Sequence, residues 1–311
     1  MTTQTAARRG SRWTPGARRE IGWLLLFLSP WIIGSIVFTF GPMLWSLWLS
    51  FTNYDPLSGK QDFIGFANYQ AMVGDRRFTT ALANTAFVTI LFVPTSLALG
   101  IALATMLNNV GGRMSGFFRT AFYLPNVTPA VAVGALFLLL LANPGGVVNQ
   151  GLAFFGMTGP SWLNDPTWMK PGIVIMMLWS IGGTVIILFA ALRNVPKELY
   201  EAARIDGANA WGQFRNITVP MISGALFFCL IINTTATLQL FAEVYAMFFG
   251  ARTGGGNDAV LFYVIYVFRQ AFEFFKMGYA SALAWVLFVV IALITVIQFR
   301  VGRRFVYYEG E

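Results

Sequence analysis

The sequence contains no histidine and only one cysteine in 311 residues. The absence of histidine excludes histidine-based catalytic triads, the HExxH zinc arrangement and histidine proton relays. The single cysteine, Cys229, excludes a disulfide framework, and its position in an apolar segment favours a buried, inert thiol. We therefore expect neither a metal site nor a bound cofactor in this chain.

A phosphate-binding loop is also missing. No GxxxxGK[ST] segment occurs, and the glycine clusters near Gly145 and at Gly254 to Gly256 lack the lysine and the preceding strand of a phosphate cradle. Acidic residues, which a carboxylate-based enzyme would need, are confined almost entirely to loops and segment ends. The chain is therefore not expected to be an enzyme, and an ATP-driven process would need a separate subunit that hydrolyses ATP.

Charge is scarce throughout the chain. Charged residues make up 11% and hydrophobic residues 57%, whereas soluble domains average roughly 25% and 45–50%. Six intervals contain no charged residue, namely 21–54, 78–112, 120–164, 171–192, 216–242 and 277–299. Each is long enough for a helix of about 20 residues that crosses a bilayer. The composition predicts an all-α integral membrane protein.

The third charge-free interval is long enough for two helices. Asn143, Pro144 and Gly145 interrupt it, so we expect its helix to end near Leu141 and an external loop to follow. The resulting prediction is six transmembrane helices, at about 23–48, 83–106, 120–141, 171–192, 221–246 and 278–300.

Lysine and arginine are divided unequally between the two sides of these spans. With the N-terminus inside, fourteen basic residues lie on the cytoplasmic side and seven on the other, as expected because basic residues are retained in the cytoplasm. Both termini are thus predicted to be cytoplasmic, with tails at 1–20 and 303–311 and a polar loop at 193–220. The first apolar run is too long for a cleaved signal peptide. The net charge of +8 needs no nucleic acid, since this asymmetry accounts for most of it.

Polar residues within the membrane concentrate in the fifth span. At about 100° per residue, Asn233 and Thr237 share one helix face, and Gln239 and Glu243 share a roughly opposite face. A straight helix could not line one channel with both faces. These polar residues either line a substrate pathway or have a structural role. In the structural case, Asn233 and Thr237 form hydrogen bonds between helices. Glu243, at the outer mouth, is then a hydrated interfacial carboxylate or pairs with Arg252.

The third and fourth spans also carry candidate pathway residues. Beside Ser180, the indole ring of Trp179 is either a packing anchor or a flat surface on which a pyranose can stack. In the third span, Pro125 and Pro129 flank Asn126 and loosen the helix. A straight helix would nevertheless place Asn126 about 10 Å nearer to the cytoplasmic side than Trp179.

The loop at 193–220 is the most polar stretch of the chain. Glu201, Ala202 and Ala203 are followed after three residues by Gly207, and after nine more by the segment ITVP. Two alanines leave a shallow helix face that can enter a groove, Glu201 offers an acceptor to a basic side chain there, and Gly207 permits a turn. The alternative is an ordinary solvated amphipathic helix.

This spacing resembles the EAA loop of ABC importer permeases. The blocks LFLSPWIIG, FIGFANY, YLPNVTPAV and MGYASALAWVLF are similar to the carbohydrate-uptake class that includes the maltose and glycerol-phosphate permeases, and the resemblance runs from about residue 20 to residue 306. It implies a type I ABC importer permease fold over 21–302 in a prokaryotic cell membrane, with 193–220 as a cytoplasmic EAA coupling loop.

The resemblance also implies partners and site residues. The complex would contain a second homologous permease, two copies of a cytoplasmic ABC ATPase that bind ATP and Mg, and an extracytoplasmic solute-binding protein, in membrane lipid. The implied ATPase-coupling residues are Glu201, Ala202, Ala203, Asp206 and Gly207. With the neighbouring polar Ser180 and Gln239, the implied substrate pathway comprises Asn126, Ala130, Trp179, Asn233, Thr237 and Leu240.

The expected substrate is a di- or oligosaccharide. Glycerol phosphate or a polyol is the alternative, but a phosphate favours basic residues, and the fourth and fifth spans contain none before Arg193 and Arg252. An ion-coupled secondary transporter would need an ionisable residue inside the membrane, for which Glu243 is the candidate. A membrane-bound enzyme would need clustered acids or nucleophiles on one side, which the sequence does not offer.

Overall fold

The computed structural model describes residues 15–110, 112–143, 145–249 and 258–305, and within them the chain is almost entirely helical. β pairing in these ranges is limited to an isolated bridge between Thr52 and Phe63. The α-helices are α1 (Pro15–Ser35), α2 (Gly41–Leu49), α3 (Ala67–Val73), α4 (Arg76–Asn109), α5 (Gly112–Val127), α6 (Ala130–Leu140), α7 (Val147–Phe154), α8 (Pro166–Trp179), α9 (Gly182–Arg193), α10 (Lys197–Ile205), α11 (Ala210–Gln213), α12 (Val219–Met221), α13 (Ser223–Leu238), α14 (Ala242–Val244), α15 (Tyr263–Phe268) and α16 (Met277–Gly302). Short π-helical stretches lie at Ile36–Phe40, Phe214–Thr218, Tyr245–Phe249 and Arg269–Glu273.

Three helical segments are long and apolar enough to cross a membrane without interruption, namely Glu20–Leu49, Arg76–Asn109 and Met277–Gly302. Three further candidates are bent pairs, α5 with α6 at 99°, α8 with α9 at 49°, and Ala210–Met221 with α13 at 68°. Counting each bent pair as one crossing yields six spans, the number that the charge-free intervals predict. The bends themselves were not predicted.

Helix α4 is the central element of the fold. Its N-cap is Asp75, whose carboxylate accepts hydrogen bonds from the backbone N–H groups of Arg77 at 2.9 Å and Phe78 at 3.3 Å. It packs against α8, α9, α13 and α15. At Gly100 the approach to α9 is close, because a Cβ there would lie 2.9 Å from Cγ2 of Thr184. The three broken spans are therefore assembled around one uninterrupted helix.

The third and fourth spans break at neighbouring points. Thr128 ends the hydrogen bonding of α5, and Pro129, which has no N–H to donate, precedes α6. The fourth span breaks at Ser180 and Ile181, and Gly182 then begins α9 against α5. A Cβ at Gly182 would collide with the carbonyl oxygen of Phe122. Glycine is needed here for close backbone approach.

The fifth span differs from the single interval 221–246 that the sequence predicts. Helix α13 ends at Leu238, and Leu240 donates its N–H to the carbonyl of Thr237 at 3.2 Å, which tightens the last turn. The short helix α14 then begins after Phe241 and packs against α6, where a Cβ at Gly134 would meet the carbonyl oxygen of Glu243. This contact with α6 is long-range, so no local pattern reports it.

At the start of α4, one carboxylate joins three elements. The hydroxyl groups of Tyr266 and Tyr279 both donate to Oδ2 of Asp75, the latter at 2.7 Å. Nearby, the side-chain amide of Asn84 donates to the carbonyl of Asp258 at 2.9 Å. Helices α15 and α16 are thereby held to the start of α4.

Several predicted features lie outside the described residues. They include most of the basic tail at 1–20, the end of the tail at 303–311, Pro144, Arg252 and the glycines at 254–256. The predicted external loop after Leu141 contains the short helix α7. The sidedness of the spans stays a prediction.

Candidate functional site

Two adjoining cavities lie where the broken helices meet α4. The larger has a volume of about 420 Å³ and the smaller about 210 Å³, and Phe92, Ser180 and Asn233 line both. Five of the eight predicted pathway residues line the larger cavity, namely Ala130, Ser180, Asn233, Gln239 and Leu240. The structure therefore brings together most of the residues that the sequence suggested, from three different spans.

Asn233 is held at the junction of three helices. Its amide nitrogen donates to Oγ of Ser96 on α4 at 3.1 Å and to Oγ1 of Thr184 on α9 at 3.2 Å. Asn233 is partly buried and still contributes to both cavity walls. Asn233 therefore forms hydrogen bonds between helices and also lines both cavities. Neither partner hydroxyl was identified from the sequence.

Asn126 connects the breaks of the third and fourth spans. With its amide oriented to match its neighbours, its nitrogen donates to the carbonyl of Ser180 and its oxygen accepts from the N–H of Gly183 at 3.0 Å. These bonds satisfy backbone groups that the break after α8 leaves without helical partners. Asn126 lines the smaller cavity. The 99° bend brings it beside Ser180, so the offset of a straight helix does not apply.

Gln239 and Glu243 line the same cavity as Asn233, although a straight helix would turn them to the opposite side. The end of α13 at Leu238 removes that constraint, since the chain beyond it no longer follows the helical period. Glu243 is partly exposed, and its carboxylate takes part in none of the side-chain hydrogen bonds or ion pairs of the described residues. Its suggested partner, Arg252, lies outside them.

Two predicted pathway residues do not line these cavities. Thr237 is fully buried, and its hydroxyl donates to the backbone carbonyl of Asn233 at 2.6 Å. Trp179 is 39% exposed, and its ring packs edge-on against Phe137 with centroids 5.8 Å apart. The helical period predicted that Thr237 and Asn233 lie on the same face. In the structure, however, neighbouring helices cover Thr237.

Apolar residues complete the larger cavity, and sequence reasoning did not identify them. Phe92 comes from α4, Met176 and Met177 from α8, and Phe241 from the segment after α13. Hydrophobic and aromatic side chains line most small-molecule pockets in proteins. In a sequence dominated by apolar residues, however, nothing distinguishes these positions from lipid-facing or core positions.

The polar loop forms a compact unit beside the spans. Helix α10 begins after Pro196, and the chain turns at Gly207, which has a φ of 78° that favours glycine. The hydroxyl groups of Tyr200 and Thr218 lie 3.0 Å apart, which joins α10 to the π-helical stretch before α13. The loop is therefore linked to the helix that carries Asn233.

The predicted coupling residues lie mainly on the exposed side of this loop. Glu201, Ala202, Asp206 and Gly207 are exposed, whereas Ala203 is half-buried. Ile205 follows Glu201 by four residues and therefore shares its helix face.

Large apolar side chains on the loop were missed by sequence reasoning. Ile205 is 87% exposed, and Trp211 on α11 is 67% exposed. Exposed apolar residues beside an acidic side chain are typical of a protein interaction surface.

Comparison with protein families decides the affiliation of the chain. Residues 96–307, more than half of the chain, match the model of the binding-protein-dependent transport system inner membrane component. The chain belongs to this family. Its members are transport components, which agrees with the expectation that this chain is not an enzyme.

Individual relatives cover nearly the whole length of this inner membrane component. The lactose transport system permease protein LacF of Rhizobium radiobacter is 37% identical, with 91% of this chain and 94% of the relative aligned. The probable ABC transporter permease protein YesP of Bacillus subtilis is 36% identical, with 92% of each aligned. The resemblance to ABC permeases is thereby confirmed.

A solved structure shares the fold. A chain of a bacterial ABC transporter involved in import of the acidic polysaccharide alginate superposes with a TM-score of 0.79 at 26% identity, covering 92% of this chain and 97% of that one. The fold-class prediction, an all-α ABC importer permease, is therefore confirmed.

Proposed function

We propose that this chain is the transmembrane permease subunit of an ATP-driven, binding-protein-dependent importer of di- or oligosaccharides. The observation that carries the proposal is the larger cavity, whose volume of about 420 Å³ falls in the range of small-molecule sites. Its wall combines an aromatic ring, Phe92, with the amides of Asn233 and Gln239 and the hydroxyl of Ser180. Aromatic faces suit the C–H faces of a sugar ring, and amides suit its hydroxyl groups.

Relatives support a saccharide rather than a phosphate ester. Beside the lactose permease, they include the arabinooligosaccharides transport system permease protein AraP of Bacillus subtilis, 29% identical over 96% of this chain. No lysine or arginine lines either cavity within the described residues. Glycerol phosphate would require such a positive partner, so we favour a saccharide over that alternative.

In this proposal the chain forms half of a translocation pathway. The other half comes from a second homologous permease, because Asn233, Gln239 and Glu243 would otherwise leave polar groups facing lipid. A solute-binding protein delivers the saccharide from the extracytoplasmic side. The solved alginate transporter in complex with a pentasaccharide-bound periplasmic protein, whose matching chain is 25% identical, supports such a partner.

ATP and Mg are bound by a separate ATPase, two copies of which meet the cytoplasmic loops of the two permeases. Glu201, Ala202 and Ile205 of α10 enter a groove on that ATPase. The bond between Tyr200 and Thr218 passes its movement to the segment before α13, whose far end carries Asn233 and Gln239. A displacement of α10 as a rigid body therefore changes the wall of the cavity.

The coupling role is tested by Glu201→Ala in a complex reconstituted in proteoliposomes. We expect ATP hydrolysis stimulated by the loaded binding protein to fall at least about tenfold, or about 1.4 kcal/mol, while the permease stays in the membrane. Glu20→Ala, which removes another exposed carboxylate at the predicted cytoplasmic side, is the matched control. Unchanged stimulation in Glu201→Ala would contradict coupling through α10.

The transport role is tested with the same proteoliposomes. We expect ATP-dependent accumulation of the labelled di- or oligosaccharide that the binding protein captures in a ligand screen. Capture and accumulation of glycerol phosphate or a polyol instead would contradict the saccharide assignment.

A further inference from the structure

Glu243 is the one ionisable residue in the wall of the larger cavity, as far as the described residues extend. It is partly exposed, and none of the described hydrogen bonds or ion pairs involves its carboxylate. Gln239 and Asn233 line the same space but carry no charge. Among the described residues, a single acidic side chain therefore borders a cavity whose wall is otherwise apolar or neutral.

The backbone of Glu243 is fixed in this position. Its carbonyl oxygen lies against Gly134 of α6, where no Cβ would fit. The next residue, Val244, is fully buried, and Met247 is fully buried one turn later. Residue 243 therefore cannot move away from the cavity without disturbing the packing of α14 on α6.

A carboxylate at this place needs hydrogen-bond donors. Ionised carboxylates within a membrane protein are costly unless water, donors or a positive charge stabilise them. The hydroxyl groups of a saccharide donate well to a carboxylate, and hydrogen bonds to charged groups are stronger than neutral ones. A ligand that carries its own carboxylate, sulfonate or phosphate would instead be repelled.

We propose that Glu243 selects the substrate of this cavity: it binds the hydroxyl or ammonium groups of a non-anionic saccharide and excludes acidic saccharides. The inference rests on the proposed function and adds the charge class of the substrate. It separates this chain from its structural relative, whose importer takes the acidic polysaccharide alginate.

The charge of the cavity can be measured without knowing the saccharide. Cys229 is the one cysteine of the chain, so Cys229→Ala with Gln239→Cys places a single thiol of this subunit in the cavity wall, in an importer whose other subunits lack cysteine. We compare its reaction rates with cationic and anionic methanethiosulfonate reagents. Glu243→Gln is expected to lower the cation-to-anion rate ratio at least threefold, whereas Glu20→Gln leaves it unchanged. An unchanged ratio in Glu243→Gln overturns the assignment.

Selectivity is then measured by protection of the same thiol, in the absence of the binding protein. The probes are galactobiose, which is neutral, and digalacturonate, which differs by oxidation at C6. We expect galactobiose to slow the labelling with Glu243 present, and digalacturonate to do so only in Glu243→Gln. Equal protection by both probes with Glu243 present overturns the selection and leaves the sugar pathway intact. No protection by either probe in either protein counts against the saccharide pathway itself, whatever the charge measurement shows.

Discussion

Asn233 shows how one side chain can pack between helices and also line a cavity. Its amide nitrogen reaches Ser96 at 3.1 Å and Thr184 at 3.2 Å, which joins α13 to α4 and α9, and the residue still lines both cavities. Thr237, one turn further on, is fully buried and bonds only to its own helix in the described contacts. On a single helix, Asn233 therefore lines the cavities, whereas Thr237 is buried away from them.

We expect Asn233→Ala to slow saccharide import several-fold while the stimulation of ATP hydrolysis by the binding protein persists, because the substitution changes the cavity and not α10. Loss of two interhelical hydrogen bonds should lower the stability only modestly, by about 0.6 kcal/mol each. Uptake and ATPase assays on the same proteoliposomes measure both effects. Thr237→Val serves as the control, and an equal loss of uptake in the two variants would contradict a specific role of Asn233 in transport.

At the scale of elements, the breaks in the spans decide where the site forms. The bend between α5 and α6 places Asn126 against the break between α8 and α9, and the end of α13 brings Gln239 to the same cavity. Irregular backbone is tolerated inside a membrane where it is buried in protein or lines a cavity. The close contact at Gly182 keeps two of these broken spans together.

Gly182→Ala should destabilise the protein by about 1–3 kcal/mol, a range typical of overpacking, because a Cβ there collides with the carbonyl oxygen of Phe122. Gly151→Ala on α7 is the matched control, since a Cβ at that position meets open space. The control should be neutral, or more stable by about 0.5–1 kcal/mol. Thermal unfolding of the purified protein in detergent compares the two, and equal midpoints would contradict the close approach of α5 and α9.

Over the whole molecule, the helix ends around Asp75 are tied together, while the most apolar part of the first span is left uncovered. None of the most apolar window of Glu20–Leu49 is buried within the chain. Burial acts to raise the pKa of Asp75, but hydrogen bonds from Tyr266 and Tyr279 and from backbone N–H groups outweigh it. The pKa of Asp75 consequently lies below its usual value of 3.8.

Asp75→Asn should lower the free energy of unfolding at pH 7 by about 1.5–3 kcal/mol, the order of one hydrogen bond to a charged group. An asparagine still caps α4 but is a weaker acceptor for two tyrosine hydroxyls. Because the folded-state pKa is depressed, the contribution is present above pH 3.8 and is lost as the pH falls through the folded-state value. The difference between variant and parent should therefore shrink in acid.

The control for this prediction is Asp165→Asn, which changes the N-cap of α8, whose carboxylate accepts from the N–H of Thr167 at 2.9 Å. It should cost little, since asparagine is an equally good cap. Thermal unfolding at several pH values measures both. A difference between Asp75→Asn and the parent that is constant down to pH 3 would refute the ionised cluster.

The amino-acid sequence by itself determined the membrane class, and it predicted six crossings and an exposed polar loop at 193–220. Charge-free intervals and the spacing from Glu201 to Gly207 are properties of short stretches of sequence. Whether such a stretch enters lipid or stays in water, and which residues share a helix face, depends on that stretch alone. Likewise, most of the polar residues suggested from the spans, such as Asn233 and Ser180, do line the cavities.

The tertiary structure alone decided which of these residues share a cavity. Helical periodicity turned Glu243 away from Asn233, yet both line one space because α13 ends at Leu238. The same periodicity grouped Thr237 with Asn233, yet neighbouring helices cover it. Breaks and burial depend on contacts between distant segments, such as Gly134 with Glu243 and Asn126 with Ser180. A period read along one helix contains no information about the backbone of another.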